Sequence, residues 1–138
     1  MIIADTGFFL ALANRKDRHH HTAVGCLEVL TESLVTMWPV LAETTHLLVY
    51  RLGVNAQLNF LRSIRDGACE IFDIPPTDLT HVLALMRKYK NLPMDLADAS
   101  LVLLAEHLGH GRIFSTDERD FRTYRWKCRE PFENLLLR

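Results

Sequence analysis

The sequence predicts an α/β fold with a mainly parallel sheet, and three observations carry that expectation. Short apolar runs recur along the chain and each stops at turn residues, as Met1-Ile2-Ile3-Ala4 stops at Asp5-Thr6-Gly7. Between these runs the apolar residues switch to the three-to-four spacing of helices. No linker, repeat or low-complexity stretch divides the chain, so its 138 residues read as one domain, 1–138, around one core. Unalternating apolar runs suit strands buried on both faces, and strands alternating with helices imply parallel pairing.

The elements follow in order. Met1–Ala4 is the first strand, and a helix continues from Asp5-Thr6-Gly7 through Asn14. Arg15–Arg18 is a loop. His19 to about Glu32 is a helix with Ala23, Cys26, Leu27 and Leu30 on one stripe. Leu34–Met37 is the second strand. Pro39 suits the first position of a helix, where its missing N–H is not needed, and that helix runs through Arg51 to a stop at Gly53. Asn55–Arg65 is a helix with Leu58, Leu61 and Ile64 turned inward. Cys69–Ile74 is a third strand, closed by Pro75-Pro76. Thr77–Lys90 is a helix capped by Thr77 or Asp78, and Asp95–Leu108 is another, ended by Gly109. Arg112–Thr116 is the fourth strand and Glu118–Phe121 a single helical turn. Arg129–Phe132 is the least patterned candidate, for a fifth strand.

Composition bounds the function. Apolar residues make up 49% and charged residues 24%, as in an ordinary soluble globular protein. The net charge of -1 gives no global basic field, so a polyanion would have to be held by a local patch or through metal. Cys26, Cys69 and Cys128 form no C-x-x-C pair and have no zinc spacing, which suits reduced thiols in the cytoplasm. No basic leader is apparent and no apolar stretch approaches the ~20 residues of a membrane span, so a soluble cytoplasmic protein is expected.

Four acids stand where an acid is costly. Asp5 is the sole charge in the apolar run Met1–Ala13, and Glu43 is the sole acid between Ser33 and Arg65. Asp98 precedes an almost wholly apolar stretch, and Asp117 follows the fourth strand. Burying an unpaired carboxylate is expensive, and no base lies close in sequence to Asp5 or Asp98. Local roles compete. Asp5 suits a helix N-cap, Glu43 an exposed first-turn acid with His46 at i+3, and Asp95 the cap of the helix that carries Asp98. Asp120 suits a turn cap or a pair with Arg119 or Arg122. Ligands of parallel α/β sheets bind beyond the carboxyl ends of the strands, where both Asp5 and Asp117 are placed. A shared cation would satisfy all four acids, and hard oxygen ligands without cysteine suit Mg²⁺ or Mn²⁺ rather than zinc. Such a cluster supports phosphodiester hydrolysis. A haloacid-dehalogenase-type phosphatase would want a second acid where Gly7 stands, and a receiver-type phosphoacceptor would want paired acids after the first strand.

The segments Ile-Ile-Ala-Asp-Thr-Gly, Leu-Ala-Glu-Thr-Thr-His-Leu-Leu, Met-Asp-Leu-Ala-Asp-Ala-Ser-Leu-Val and Ile-Phe-Ser-Thr-Asp-Glu-Arg-Asp-Phe, in this order and spacing, resemble the PIN domain, and in particular VapC-like toxin ribonucleases. The resemblance covers essentially the whole chain. It implies a three-layer α/β/α sandwich around a five-stranded parallel sheet and a Mg²⁺- or Mn²⁺-dependent endoribonuclease. It matches Asp5, Glu43, Asp98 and Asp117 to the family's four acids and Thr116 to the hydroxyl residue before the last. Asp95 and Asp120 are left at the periphery, and Asp17 with His20 matches a structural Asp-x-x-His. It implies RNA as substrate, a homodimer and an antitoxin partner. A housekeeping RNA-processing nuclease, or a catalytically weak binding module on the same fold, is the alternative.

Two basic stretches could meet RNA. One contains Arg15 and Lys16 before His19-His20-His21. The other interleaves Arg122, Arg125 and Lys127 with Phe121, Tyr124 and Trp126, a pattern that can stack bases and bind backbone, or simply pack Trp126 inward.

Overall fold

In the computed structural model, which describes residues Met1–Arg138, the central strands are buried on both faces. That burial is why they read as unbroken apolar runs. β1 (Ile2–Ala4) leads into α1 (Thr6–Ala13) and α2 (His20–Glu28). β2 (Leu34–Met37) leads into α3 (Trp38–Leu52) and α4 (Val54–Arg65). β3 (Glu70–Phe72) is followed by a 3₁₀ turn at Pro76–Asp78, α5 (Leu79–Lys88) and α6 (Leu96–Leu108). β4 (Arg112–Phe114), α7 (Glu118–Thr123), β5 (Arg125–Trp126), β6 (Glu130–Pro131) and β7 (Glu133–Asn134) complete the chain.

The main sheet has the order β3-β2-β1-β4-β7, and every pairing in it is parallel. The chain steps from β1 outward to β3, then crosses back to the other side of β1. Crossovers between parallel strands are right-handed, so steps in opposite directions put their helices on opposite faces. The outward steps carry α1–α4 on one face, where they pack on one another, and the return step carries α5 and α6 on the other. The expected α/β/α sandwich with a five-stranded parallel sheet is therefore present. α6 is apolar on all sides because it is enclosed: an unbroken run from Ala99 to Ala105 is buried in it. Thirty buried residues form one core cluster on both faces of the sheet. No helix is long and apolar enough to cross a membrane.

Several boundaries differ from expectation. The fifth strand is Glu133–Asn134, beside β4, rather than Arg129–Phe132. Glu130–Pro131 within that segment instead pairs antiparallel with Arg125–Trp126, through a turn that holds Lys127 and Cys128 at positive φ. α2 ends at Glu28, four residues early, and Val29 is 78% exposed. Leu27 is also exposed, while Ala23 is buried on the same helix. Leu58 and Leu61 are each 40% exposed, not inward. α4 packs on α3 rather than on the sheet, so only the narrow stripe of Ala56, Phe60 and Ile64 is covered. Neither Thr77 nor Asp78 caps α5 through its side chain. α3 starts at Trp38, one residue before Pro39, and Glu43 lies in its second turn rather than its first.

One close approach joins the first turn of α1 to the loop after β4. A methyl group placed on Gly7 would stand 1.8 Å from Oγ1 of Thr116. No side chain fits there unless Thr116 moves. Gly7→Ala is therefore expected to cost about 1–3 kcal/mol of stability by overpacking. The double variant Gly7→Ala/Thr116→Ala should recover much of that loss, as read from urea midpoints; equal midpoints for wild type and Gly7→Ala would refute the clash.

Candidate active site

β1 sits where the strand order reverses, with β2 on one side and β4 on the other. The crevice beyond its carboxyl end is the topological switch point at which ligands of such sheets bind. Asp5 is the first residue past β1 and is only 7% exposed. It caps α1: one carboxylate oxygen accepts from the Thr6 N–H at 2.7 Å. The other accepts from the Ser115 hydroxyl at 2.8 Å. Ser115 lies just past β4, so this bond ties the ends of two adjacent strands. The same hydroxyl accepts from the Asp117 N–H at 3.0 Å and so sets the backbone of the next acid.

Asp117 in turn caps α7, with a carboxylate oxygen accepting from the Asp120 N–H at 3.1 Å. Asp98 lies in the first turn of α6, above Asp95, whose side chain accepts the Asp98 N–H at 2.8 Å as the helix cap. The carboxylate of Asp98 is held by Tyr124, whose hydroxyl donates to it at 2.7 Å. Tyr124 is wholly buried and wedged edge-on against Phe121 and Tyr89. Glu43 reaches in from α3, half-buried. His46 does not contact it through a hydrogen bond; its ring leans on Tyr50. The Thr6 hydroxyl faces Glu43 and lowers its pKa slightly, yet it is buried with no partner that meets hydrogen-bond geometry.

These side chains line one cleft of about 420 Å³. The structure thus brings together Asp5, Glu43, Asp98 and Asp117, with Asp95, Thr116 and Asp120 at its wall. It does not bring in Arg15, Lys16, Arg122, Arg125 or Lys127, none of which lines the cleft. Arg122 pairs with Glu118 at 2.9 Å, and Arg125 folds back onto the carbonyls of Arg122, Thr123 and Tyr124. Lys127 lies over the Trp126 ring. Asp120 pairs with Arg119 at 2.9 Å, and of the two arginines nearby only this one is its partner.

Three residues of the site are not legible as such in the sequence. Asp17, which the family pattern marks as structural, does fix the loop before α2 by accepting the His19 N–H at 2.8 Å, but it also lines the cleft. Arg51 lines it two turns after Glu43. Tyr124 has no signal beyond its place in an aromatic stretch, since its separation of 26 residues from Asp98 hides the contact.

Electrostatics matches the crowding. Burial pushes the Asp5 carboxyl up to about 6 despite its two hydrogen bonds, with Asp117 and Asp95 adding repulsion. Glu43 is pushed up to about 7 by burial first, then by the charges of Asp95 and Asp5. Asp98 rises to about 8, again from burial, against the lowering effect of the Tyr124 bond. Asp117 is also raised, mainly by burial. The Tyr124 hydroxyl is held far above its ordinary value by burial and by Asp98, so it remains a donor.

Residues 2–127 match the family model described as PIN domain. The chain belongs to the PIN domain family. Ribonuclease VapC26 of Mycobacterium tuberculosis (strain ATCC 25618 / H37Rv) is 29% identical over 124 residues, which is 90% of this chain and 92% of that protein. The crystal structure of Mycobacterium tuberculosis VapC20, described as a Sarcin-Ricin loop cleaving toxin, superposes with a TM-score of 0.78 at 22% identity. That match covers 86% of this chain and 92% of that one, and it shows the shared fold.

PIN domain nucleases of the VapC kind generally depend on a divalent metal. The donors here are all hard oxygens, and the unpartnered Thr6 hydroxyl adds a polar atom at the site. No three Asp, Glu, His or Cys side chains stand close enough to cage an ion by themselves. That fits Mg²⁺, which keeps several waters and takes one or two carboxylates, better than a fully liganded structural ion.

Three raised carboxyl pKa values make the metal-free PIN domain sensitive to pH. Their folded values of about 6, 7 and 8 lie above the ordinary values of 3.8 and 4.5, so folding favours the protonated forms. The stability they contribute is full below about pH 4 and is lost as pH rises through 6 to 8. Thermal melts without metal should therefore fall from about pH 5.5 to about pH 8.5, and Asp98→Asn should flatten the upper part of that fall, where Asp98 titrates. A flat profile in the wild type would contradict the buried, crowded carboxyls.

Proposed function

We propose that this chain is a divalent-metal-dependent endoribonuclease and the toxin of a toxin–antitoxin pair. The observation that carries the reading is one cleft, at the switch point of the sheet, lined by Asp5, Glu43, Asp98 and Asp117 in a PIN domain with a ribonuclease relative. One or two of these carboxylates at a time, with bound waters completing the shell, would hold the Mg²⁺ or Mn²⁺. A bound divalent cation supplies charge neutralisation at the phosphoryl oxygens and acidifies the attacking water.

The chain's own residues do the positioning. Ser115 fixes Asp5 and the Asp117 backbone together, so the floor of the cleft is preorganised. Tyr124 fixes the rotamer of Asp98 and favours its charged form. Holding a cation would require ionised carboxylates, so any proton kept by Asp98, Glu43 or Asp5 would have to leave for the site to fill. Thr116 stands at the wall of the cleft, beside Asp117 and against Gly7.

The substrate is RNA under this reading. The antitoxin and a second copy of the chain are the protein partners it implies. Exposed apolar side chains support partners of some kind: Trp38, Leu79 and Leu96 flank one hollow, and Leu27 stands at the edge of another. The free thiols of Cys26, Cys69 and Cys128 suit the cytoplasm.

Purified protein should cleave single-stranded RNA with Mg²⁺ or Mn²⁺, and EDTA should abolish cleavage. Asp98→Asn should stay folded and lose at least about a hundredfold in rate, a loss of the size set by removing one transition-state charge partner. Wild type and Asp98→Asn cutting a broad RNA panel alike, with Mn²⁺ present, would leave a binding module on this fold as the better reading.

Tyr124→Phe removes a single hydroxyl and keeps the ring packing. It should weaken Mn²⁺ binding about tenfold, the usual effect of losing a partner that orients a ligand. Titration of Mn²⁺ followed by electron paramagnetic resonance reads this directly, and unchanged affinity would rule out an orienting role.

A further inference from the structure

The cleft is lined by seven carboxylates and one base. That base, Arg51, stands on the same helix as Glu43, eight residues further on, which is about 12 Å along the axis. It makes no ion pair and no side-chain hydrogen bond. Arg119 also lies beside the acids, but its guanidinium is occupied by Asp120 at 2.9 Å and by the Leu92 carbonyl at 3.2 Å. Arg51 alone keeps its donors free while facing the cleft. Its place in the last turn of α3 complements the helix dipole, but any base would do that, and it leaves unexplained why the side chain lies against an acidic cleft without pairing to it.

A strand of RNA entering so acidic a cleft is repelled along its whole phosphate backbone except where cations sit. The acids at the centre would account for metal, and Arg51 is set about 12 Å further along α3 than Glu43, toward the end of the cleft. We propose that Arg51 is the phosphate anchor of the cleft: its guanidinium grips a backbone phosphate flanking the one cleaved and holds the strand in register. This rests on the ribonuclease reading above. A planar guanidinium takes a phosphate through two parallel hydrogen bonds, which an ammonium cannot reproduce, so the role is specific to arginine. The contact is to backbone, so it carries no base preference.

The test uses a fluorescein-labelled single-stranded RNA and the full chain carrying Asp98→Asn, so that binding is read without cleavage, in Mg²⁺ over a range of KCl. Adding Arg51→Gln should weaken binding about tenfold on every RNA tried and reduce the log–log salt slope by about 0.7, the value of one phosphate contact on a single strand. Arg51→Lys should restore the slope but not the full affinity. Arg65→Gln, which removes an exposed base ion-paired to Asp66 at the far end of α4, should change neither quantity. Mn²⁺ affinity should be the same with and without Arg51→Gln, which separates anchoring from damage to the metal site. In the cleaving protein, Arg51→Gln should raise KM more than it lowers kcat. Equal affinity and slope with and without Arg51→Gln, or an equal loss in Arg65→Gln, would overturn the proposal; should the Asp98→Asn chain bind no RNA, an unchanged KM in the cleaving Arg51→Gln protein would do the same. Failure of the wild type to cleave RNA would instead sink the nuclease reading, while the binding comparison would still decide the role of Arg51.

Discussion

The hydrogen bond between the Ser115 hydroxyl and the Asp5 carboxylate is the constraint around which the site is arranged. It joins the ends of β1 and β4 at the reversal of strand order, and both oxygens of Asp5 are used there, one on Ser115 and one on the start of α1. A carboxylate so deeply placed is costly, and its raised pKa registers that cost. The structure bears it because the same atoms cap a helix, hold two strands together and fix the backbone that presents Asp117. Stability and the arrangement of the cleft thus draw on one group, and a change at Asp5 would disturb both at once. Asp98 is different: α6 is capped without its side chain, through Asp95.

Much of this was legible in the chain. Unbroken apolar runs ending at Asp5 and near Asp117 reported parallel strands and a shared edge, because full burial removes alternation and leaves polar residues only where a strand stops. Asp98 was legible because an acid before an enclosed helix has little reason to be there unless something needs it. Asp95 read as a cap from its spacing to Asp98 alone. What stayed hidden depended on distance along the chain or on how much surface a neighbour covers. Tyr124 finds Asp98 across 26 residues, and no local pattern encodes that. Leu58 and Leu61 carry the right period for an inward face, but period reports a stripe, not whether anything lies over it. The fifth strand falls a few residues from its expected place because two-residue strands at an edge have no periodicity to read. Arg51 was invisible because a base near the end of a helix is ordinary until its surroundings are known.

The bases set out a similar lesson in electrostatics. Interleaved arginines and aromatics near residue 125 suggest a nucleic-acid surface, yet Arg125 is occupied by three carbonyls and Arg122 by Glu118. Charge in a sequence counts only after the chain has taken what it needs for its own turns and caps. What remains free, and where it faces, decides what it can bind.

The absence of a side chain at Gly7 has a consequence for how the enzyme could adapt. Thr116 fills the space a methyl would take, so the first turn of α1 and the loop after β4 meet at atomic contact on one wall of the cleft. The opposite walls are built from helix turns, where Glu43 is half-buried and Asp95 exposed. The cleft is therefore hard on one side and compliant on the other. Under the proposed nuclease reading, substitutions on α3 and at the start of α6 would alter which strand is admitted without touching the floor.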